Sequence, residues 1–486
     1  MTNEPDNKTI VGFICYEYIT RECRMKKTLI IIIFTFTLGK ASAQYNEFLS
    51  QPLPHSWSND SIFEQTTVTT QLWWYNFHDK QLIRLIEAAA GNNYSALSAL
   101  ENIRIARAMW QKAKGALLPT IDFNAGWQRE RISGNVTPSA GAGEYEGYYS
   151  ATISSSWQID LFGAIYMRAK AQKEQFRASE EEYRGVMTTL CANVARNYFA
   201  LKQTLAQIDV LNENAASQKE IMQLVETRYN TGLASKLDLS QATSVYYSTQ
   251  ATIPSVESDA QQYRHALAVL LGIYPQNLKD ILNEDSELPH YIHPVAIGNP
   301  EELLRRRPDI LKAEREIASN VALLGASKRD WLPQILINSN IGFSSDRIDN
   351  LVKRHSAVWQ ISPTLRWNIF KGGEDLYSTI QAKAVLQQSI LEYNNTVLTA
   401  TQEVENAMAA YKSSIKQIAA LRATVNQYRE TLSLSLELYR QGLTQFQNVL
   451  DAQRTLLNYQ NYLVQAQGAS LQSLIQLYEA LGEGWK

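Results

Sequence analysis

The sequence predicts a membrane β-barrel continued by a long α-helical barrel, with four strands and several very long helices per chain arranged in two structural repeats. Three observations lead there. Four segments alternate apolar and polar residues, as Ile121, Phe123, Ala125 and Trp127 do with Asp122, Asn124, Gly126 and Gln128. Helical patterns run unbroken for more than sixty residues, longer than globular domains use. One turn occurs twice: Arg228-Tyr229-Asn230-Thr231-Gly232-Leu233 returns about 210 residues later as Leu438-Tyr439-Arg440-Gln441-Gly442-Leu443. Each copy lies between long helical patterns, and its glycine can close a helix with positive φ, so each is the tip of a helical hairpin.

With 486 residues, 45% hydrophobic, the chain has ample material for a core, and a net charge of −2 gives no reason to expect nucleic acid. Near the N-terminus, Met25-Lys26-Lys27, the apolar run Leu29 to Leu38 and Ala41-Ser42-Ala43 have the order of a signal peptide. Residues 1–24 then form an upstream extension, 25–43 the signal and Gln44 the first mature residue, with Met25 rather than Met1 as the start. A membrane anchor is the competing reading, but about ten apolar residues are half of a spanning helix. The mature chain would keep one cysteine, Cys191, as a small buried residue with no disulfide partner.

Residues 44–77 are polar and rich in Pro, Ser and Asn, an extended arm. The first repeat, 78–275, opens with a helix from about His78 to Leu117, stopped by Pro119. A strand hairpin covers 121–160, with Tyr149, Ala151, Ile153, Trp157 and Ile159 on the apolar face of its second strand. Phe162-Gly163 returns the chain to a helix from Ala164 to Tyr229, roughly 100 Å at 1.5 Å per residue. After the tip, Leu233 to Leu271 is helical, with Pro254 marking a kink or break. A proline-bearing linker, 276–299, precedes the second repeat, 300–486, which has the same order: helix to Leu332-Pro333, hairpin 335–370, a helix of nearly seventy residues with a three-four seam, tip, helix.

Strands with one apolar face are a poor lone core, whereas membrane barrels turn that face to lipid. Four strands cannot close a barrel, and an open edge in lipid would leave backbone groups unpaired, so the chain must oligomerise. Two, three or four copies give eight, twelve or sixteen strands, and cyclic symmetry is the economical closure.

Taken together, Leu-Leu-Pro at 117–119, Trp157-Gln158-Ile159-Asp160-Leu161-Phe162-Gly163, Arg228-Tyr229-x-x-Gly232 with Asp238, Arg306-Arg307-Pro308-Asp309-Ile310 and Tyr439-x-x-Gly442-Leu443 resemble the outer membrane efflux protein family, the TolC-like outer membrane factors, and most closely the branch serving RND-type pumps. The resemblance implies a homotrimer with twelve strands in the outer membrane and twelve helices in the periplasm of a Gram-negative bacterium, docked on a periplasmic adaptor (membrane fusion) protein and an inner-membrane RND transporter. It implies a passive exit duct for small molecules, gated at the periplasmic helix tips. Many members of that branch carry a lipidated cysteine after the signal, whereas this chain has Gln44 there, so no lipidation is expected.

By resemblance, Tyr439 matches the gating tyrosine, Asp451 a carboxylate of the narrowest ring and Asp238 the first-repeat carboxylate that ties hairpins together. Asn448 stands where some members have a second ring aspartate and Thr444 where some have an arginine, which implies a less acidic mouth with fewer closing bonds. Arg228, Tyr229, Gly232 and Leu233 in the first tip, with Arg440, Gly442 and Leu443 in the second, form the turns that meet the adaptor. Ser235-Lys236-Leu237-Asp238 also fits a capping box, so Asp238 is a cap or a latch. Three copies of Asp451 around an axis would place like charges together and favour a bound cation.

The other signals are structural. His290 and His293 sit in a polar linker without further ligands, a loop rather than a metal pair. Arg305 to Arg307 read as a solvated or acid-paired face, and Trp127, Tyr148, Tyr149, Trp157, Trp359 and Trp367 as an interfacial belt or as barrel packing. No HExxH, GxSxG, P-loop or cysteine–histidine cluster occurs, so no enzyme and no cofactor are expected. Two other functions stay open on the sequence: an exit duct of the same family for secreted protein, and a soluble periplasmic coiled-coil protein.

Overall fold

The computed structural model describes residues 48–58, 63, 72–131, 133, 145–282, 286–289, 291 and 295–484. The signal segment, His290 and His293 lie outside them. Every described helix and strand belongs to the unit Leu53–Lys486.

Asn93 divides what the three-four rhythm predicts as one helix. Helix α1 spans Lys80–Asn92 and α2 spans Tyr94–Gly115. Asn93 itself is extended, and its side chain accepts from the Ser95 and Ala96 amides as Asp79 does for Gln81 and Leu82. A short polar side chain competes with the helix for its own backbone, and here it restarts the helix one residue later.

Strands β1 (Thr120–Arg131), β2 (Tyr145–Ile159), β3 (Gln334–Ser345) and β4 (Ala357–Arg366) form one antiparallel sheet in chain order. The hairpin expected over 335–370 ends earlier, since Trp367 and Ile369 lie beyond β4. The register aligns Phe123, Ile153, Ile341 and Trp359 in one row and Asp122, Ser154, Asn340 and Gln360 in the next, so the apolar face is continuous across both repeats. That face is bare: Phe123 is 72% exposed and Trp359 75%. β1 and β4 each pair along one side only.

Past Gly163, helix α3 runs from Ala164 to Asn230, 67 residues, and α4 from Lys236 to Leu270, 35 residues, continuous through Pro254. In the second half α5 (Pro300–Arg306) and α6 (Pro308–Arg329) precede the hairpin. Then α7 (Glu374–Arg440) and α8 (Phe446–Ala480) repeat the lengths, 67 and 35 residues. No described helix is long and apolar enough to cross a membrane.

Near the strands the helices lie in the order α2, α3, α6, α7, and toward the tips in the order α4, α3, α8, α7. Between these levels is an aromatic core, where Trp73 stacks on Tyr478 with centroids 5.4 Å apart and Phe77 packs on Phe199. Arg307 belongs to this core rather than to a solvated face. It is buried, donates to the Ala480 carbonyl at 2.9 Å, and pairs with Asp309 and Glu403. Cys191 is buried and free, and burial pushes its thiol up to about 12.

The joints between strands and helices repeat as well. Trp157 Nε1 donates to the Leu117 carbonyl at 3.0 Å, and Trp367 Nε1 to the Trp331 carbonyl at 3.1 Å. Each indole thus ties a strand end to the residue two before the proline that opens the hairpin. An apolar ring with one polar contact suits the edge of a membrane.

Candidate gate at the helix tips

Both tips close by the same backbone device. Leu233 donates to the Arg228 carbonyl and Leu443 to the Leu438 carbonyl, at 2.7 and 2.9 Å, with Gly232 and Gly442 at φ of 77° and 76°. This is the six-to-one bond of a Schellman ending, and the left-handed residue it requires is the glycine the two turns share. A Cβ on Gly232 would meet nothing within 4 Å, so conformation and not crowding selects it.

Beyond the turns the copies differ. Ser235 and Asp238 make a complete capping box: the Ser235 hydroxyl accepts from the Asp238 amide at 3.0 Å, and the Asp238 carboxylate from the Ser235 amide at 3.1 Å. Helix α8 has Gln445 at the equivalent place and no side-chain cap.

Tyr439, at the end of α7, is 5% exposed and packs against Phe446, whose ring centroid is 5.4 Å away. Around them Ile221, Val225, Ala242, Val245, Val449 and Leu450 complete an apolar knot drawn from all four tip helices. Its counterpart in the first tip, Tyr229, is 38% exposed and lies under the Lys236 ammonium. Burial raises the Tyr439 phenol above its usual value, Asp238 raises it further, and Arg228 opposes both.

No hydrogen bond joins Tyr439 to Asp238 within the chain. The Tyr439 hydroxyl and Arg228 Nε are both buried without a hydrogen-bond partner. Arg228 lowers the phenol both by its charge and by a polar contact with the hydroxyl that falls short of normal hydrogen-bond geometry, and its guanidinium also lies on the ring face, with Cζ 4.9 Å from the centroid.

The remaining residues lie on the outside of α8. Asp451 is exposed and accepts from Gln447 at 2.9 Å; Asn448 is exposed and donates to the Thr444 hydroxyl at 2.7 Å. Gln447, Asp451, Arg454, Asn458 and Tyr462 follow at spacings of three and four and are all exposed, a single polar stripe. The structure therefore sorts the predicted residues into two groups: Tyr439 and Asp238 near an internal knot, and Asp451, Asn448 and Thr444 at or beside an outward stripe. Phe446 and Arg228's reach into the second tip belong to the first group and have no signature in the sequence. Among the described residues, no cluster of three or more His, Cys, Asp or Glu could hold a metal.

A four-stranded sheet with a bare apolar face, joined to paired helices of 67 and 35 residues that end in closed tips, defines an outer-membrane channel protein of the TolC-like kind. The family model for the outer membrane efflux protein matches residues 85–273 and 299–483, and the chain belongs to that family. A solvent efflux pump outer membrane protein of Pseudomonas putida, SrpC, is 30% identical over 410 residues, covering 84% of this chain and 86% of that protein. OprJ of Pseudomonas aeruginosa, an outer membrane protein, is 29% identical over 458 residues, 93% and 95% of the two chains. Among solved structures, the outer-membrane channel OprN superposes with a TM-score of 0.84 at 27% identity, over 89% of this chain and 98% of its own. The protein is thus an outer-membrane efflux channel with a large periplasmic helical part.

Proposed function

We propose that three copies close into the exit duct of a tripartite pump, through which small molecules leave passively after an inner-membrane RND transporter and its periplasmic adaptor deliver them. One observation carries the closure: at every level the chain is a row of four elements whose two ends are open. One flank presents β1, α2 and α4, the other β4 and α7. Leu97, Ile105 and Met109 on α2 and Ile380, Leu391 and Leu398 on α7 are exposed apolar side chains on those flanks. Joining unlike flanks head to tail satisfies the strand edges and covers the ridges, and such a contact repeats into a ring. The relative belonging to a solvent efflux pump supports small molecules as the cargo.

In this reading the stripe bearing Asp451 and Asn448 faces the axis, and the apolar knot around Tyr439 holds each wall segment inward. Arg228 to Leu233 and Arg440 to Leu443 form the rim that the adaptor meets. Asp451 forms a ring that favours cations. The mass in detergent, set beside conductance in a planar bilayer, tests the proposal: a species of three chains that conducts is expected, and a monomer or a non-conducting dimer refutes it. Asp451→Ala should reduce cation selectivity, and unchanged reversal potentials would remove the ring.

A further inference from the structure

We propose that Arg228 is the latch that fastens the second tip to the first within each chain, and that it does so by gripping the ring of Tyr439 and the turn that follows it. This rests on the gating role proposed above and names the residue that keeps the gate shut.

Arg228 lies in the last turn of α3, half-buried. Its main-chain carbonyl accepts from the Leu233 and Ala234 amides and so closes its own turn. Its side chain crosses to the other turn, where Nη1 donates to the Arg440 carbonyl at 2.9 Å. That carbonyl is special among the last of α7. Glu437, Leu438 and Tyr439 already receive the amides of Gln441, Leu443 and Gly442, whereas Arg440 would otherwise face solvent. A cation at a helix C-terminus is also favoured by the helix dipole. The same guanidinium covers the Tyr439 ring, a cation–π arrangement in which one planar group both stacks and donates.

The duplication makes this one-sided. At the position equivalent to Arg228 the second tip has Leu438, which cannot donate back. The start of the first tip's second helix is capped by its own Ser235–Asp238 box, whereas the second tip has no side-chain cap at Gln445. Because the Tyr439 oxygen is enclosed within a single chain, a hydroxyl bond to a neighbour is not what holds it.

The test uses the whole channel, reconstituted in planar bilayers, with hydrogen exchange of the first amides of α8 measured on the same variants. Arg228→Leu should raise both tip exchange and open probability about tenfold, equivalent to ~1.4 kcal/mol. Arg228→Gln, which keeps a donor but no charge, should fall between Leu and wild type and serves if the leucine variant fails to assemble. Tyr439→Phe, which keeps the ring face, should open far less than Tyr439→Leu. Arg228→Leu with Tyr439→Leu should open less than the product of the two single effects, because the ring contact is common to both. Exchange at wild-type rates in Arg228→Leu, or multiplicative effects in the double variant, overturns the latch. Faster exchange with unchanged conductance keeps the latch and instead refutes the gate.

Discussion

Truncating Phe446 separates the role of the apolar knot from that of any polar contact at the tips. Phe446 is 2% exposed, touches Tyr439, and is buried with Val449, Leu450, Val225 and Ile221. Replacing such a ring by alanine costs about 3–5 kcal/mol through lost transfer energy and an unfilled cavity. The knot closes the end of helices 67 and 35 residues long, so the loss should fall on local opening of the tips rather than on the whole fold. Even ~3 kcal/mol multiplies the opened population by roughly a hundredfold. Phe446→Ala should therefore conduct in the absence of pump and adaptor and exchange the Val449 and Leu450 amides faster, at a nearly wild-type melting temperature. Phe446→Leu should recover most of the closure. If Phe446→Ala exchanges fast at the tip yet conducts as wild type does, packing of the knot is not what closes the channel.

Three further outcomes follow from other parts of the chain. Burial raises the Glu483 carboxyl to about 8, with Glu302 adding and Arg306 opposing. Its folded value is above the unfolded one, so its contribution is complete below the unfolded pKa near 4.5 and is lost as pH rises through about 8. The total is at most roughly 5 kcal/mol per chain. Thermal melts between pH 5 and 9 should show Glu483→Gln flattening that decline, and an unchanged slope would refute the assignment. Gly232→Ala, unhindered by neighbours but forced to a φ of 77°, should cost about 1–2 kcal/mol of tip stability, read by hydrogen exchange at Leu233 and Ala234. Trp157→Phe and Trp367→Phe each remove the indole donor to a carbonyl and should lower the melting free energy by about 0.5–1.5 kcal/mol, with similar values at the two joints.

Local pattern made most of the elements legible. The strands follow from period-two alternation that begins near Ile121 and Ile335, and the tips from a glycine repeated at an offset of 210 residues. The Ser235–Asp238 box is local too, four residues read as a unit. What escaped lies where pattern is blind. The break at Asn93 leaves the apolar rhythm of α1 and α2 nearly in phase, so only the capping contacts reveal it. Arg307 looks like its two arginine neighbours, but its side chain reaches Ala480 and Glu403, which no spacing announces. Arg228's hydrogen bond to residue 440 spans 212 positions and exists only because two hairpins lie side by side.

In the proposed gate the two copies of the hairpin differ in how their ends are held. Both have the same turn, the same helix lengths and a tyrosine before the glycine. Small substitutions set them apart. Ser235 and Asp238 anchor the start of α4, and Tyr229 faces outward under Lys236, so the first tip is complete in itself. The second lacks the cap at Gln445 and has Leu438 where the first has Arg228, so its carbonyl at Arg440 and its ring at Tyr439 are held from the other hairpin. Bonds within a segment travel with it and set its shape, not its place. A segment fastened by a neighbour's side chain can be released with its helices intact, which is the property a hinged wall requires. The exposed stripe bearing Asp451 rides on that second segment, so in the proposed trimer a modest outward swing of α7 and α8 would widen the ring without unfolding any turn.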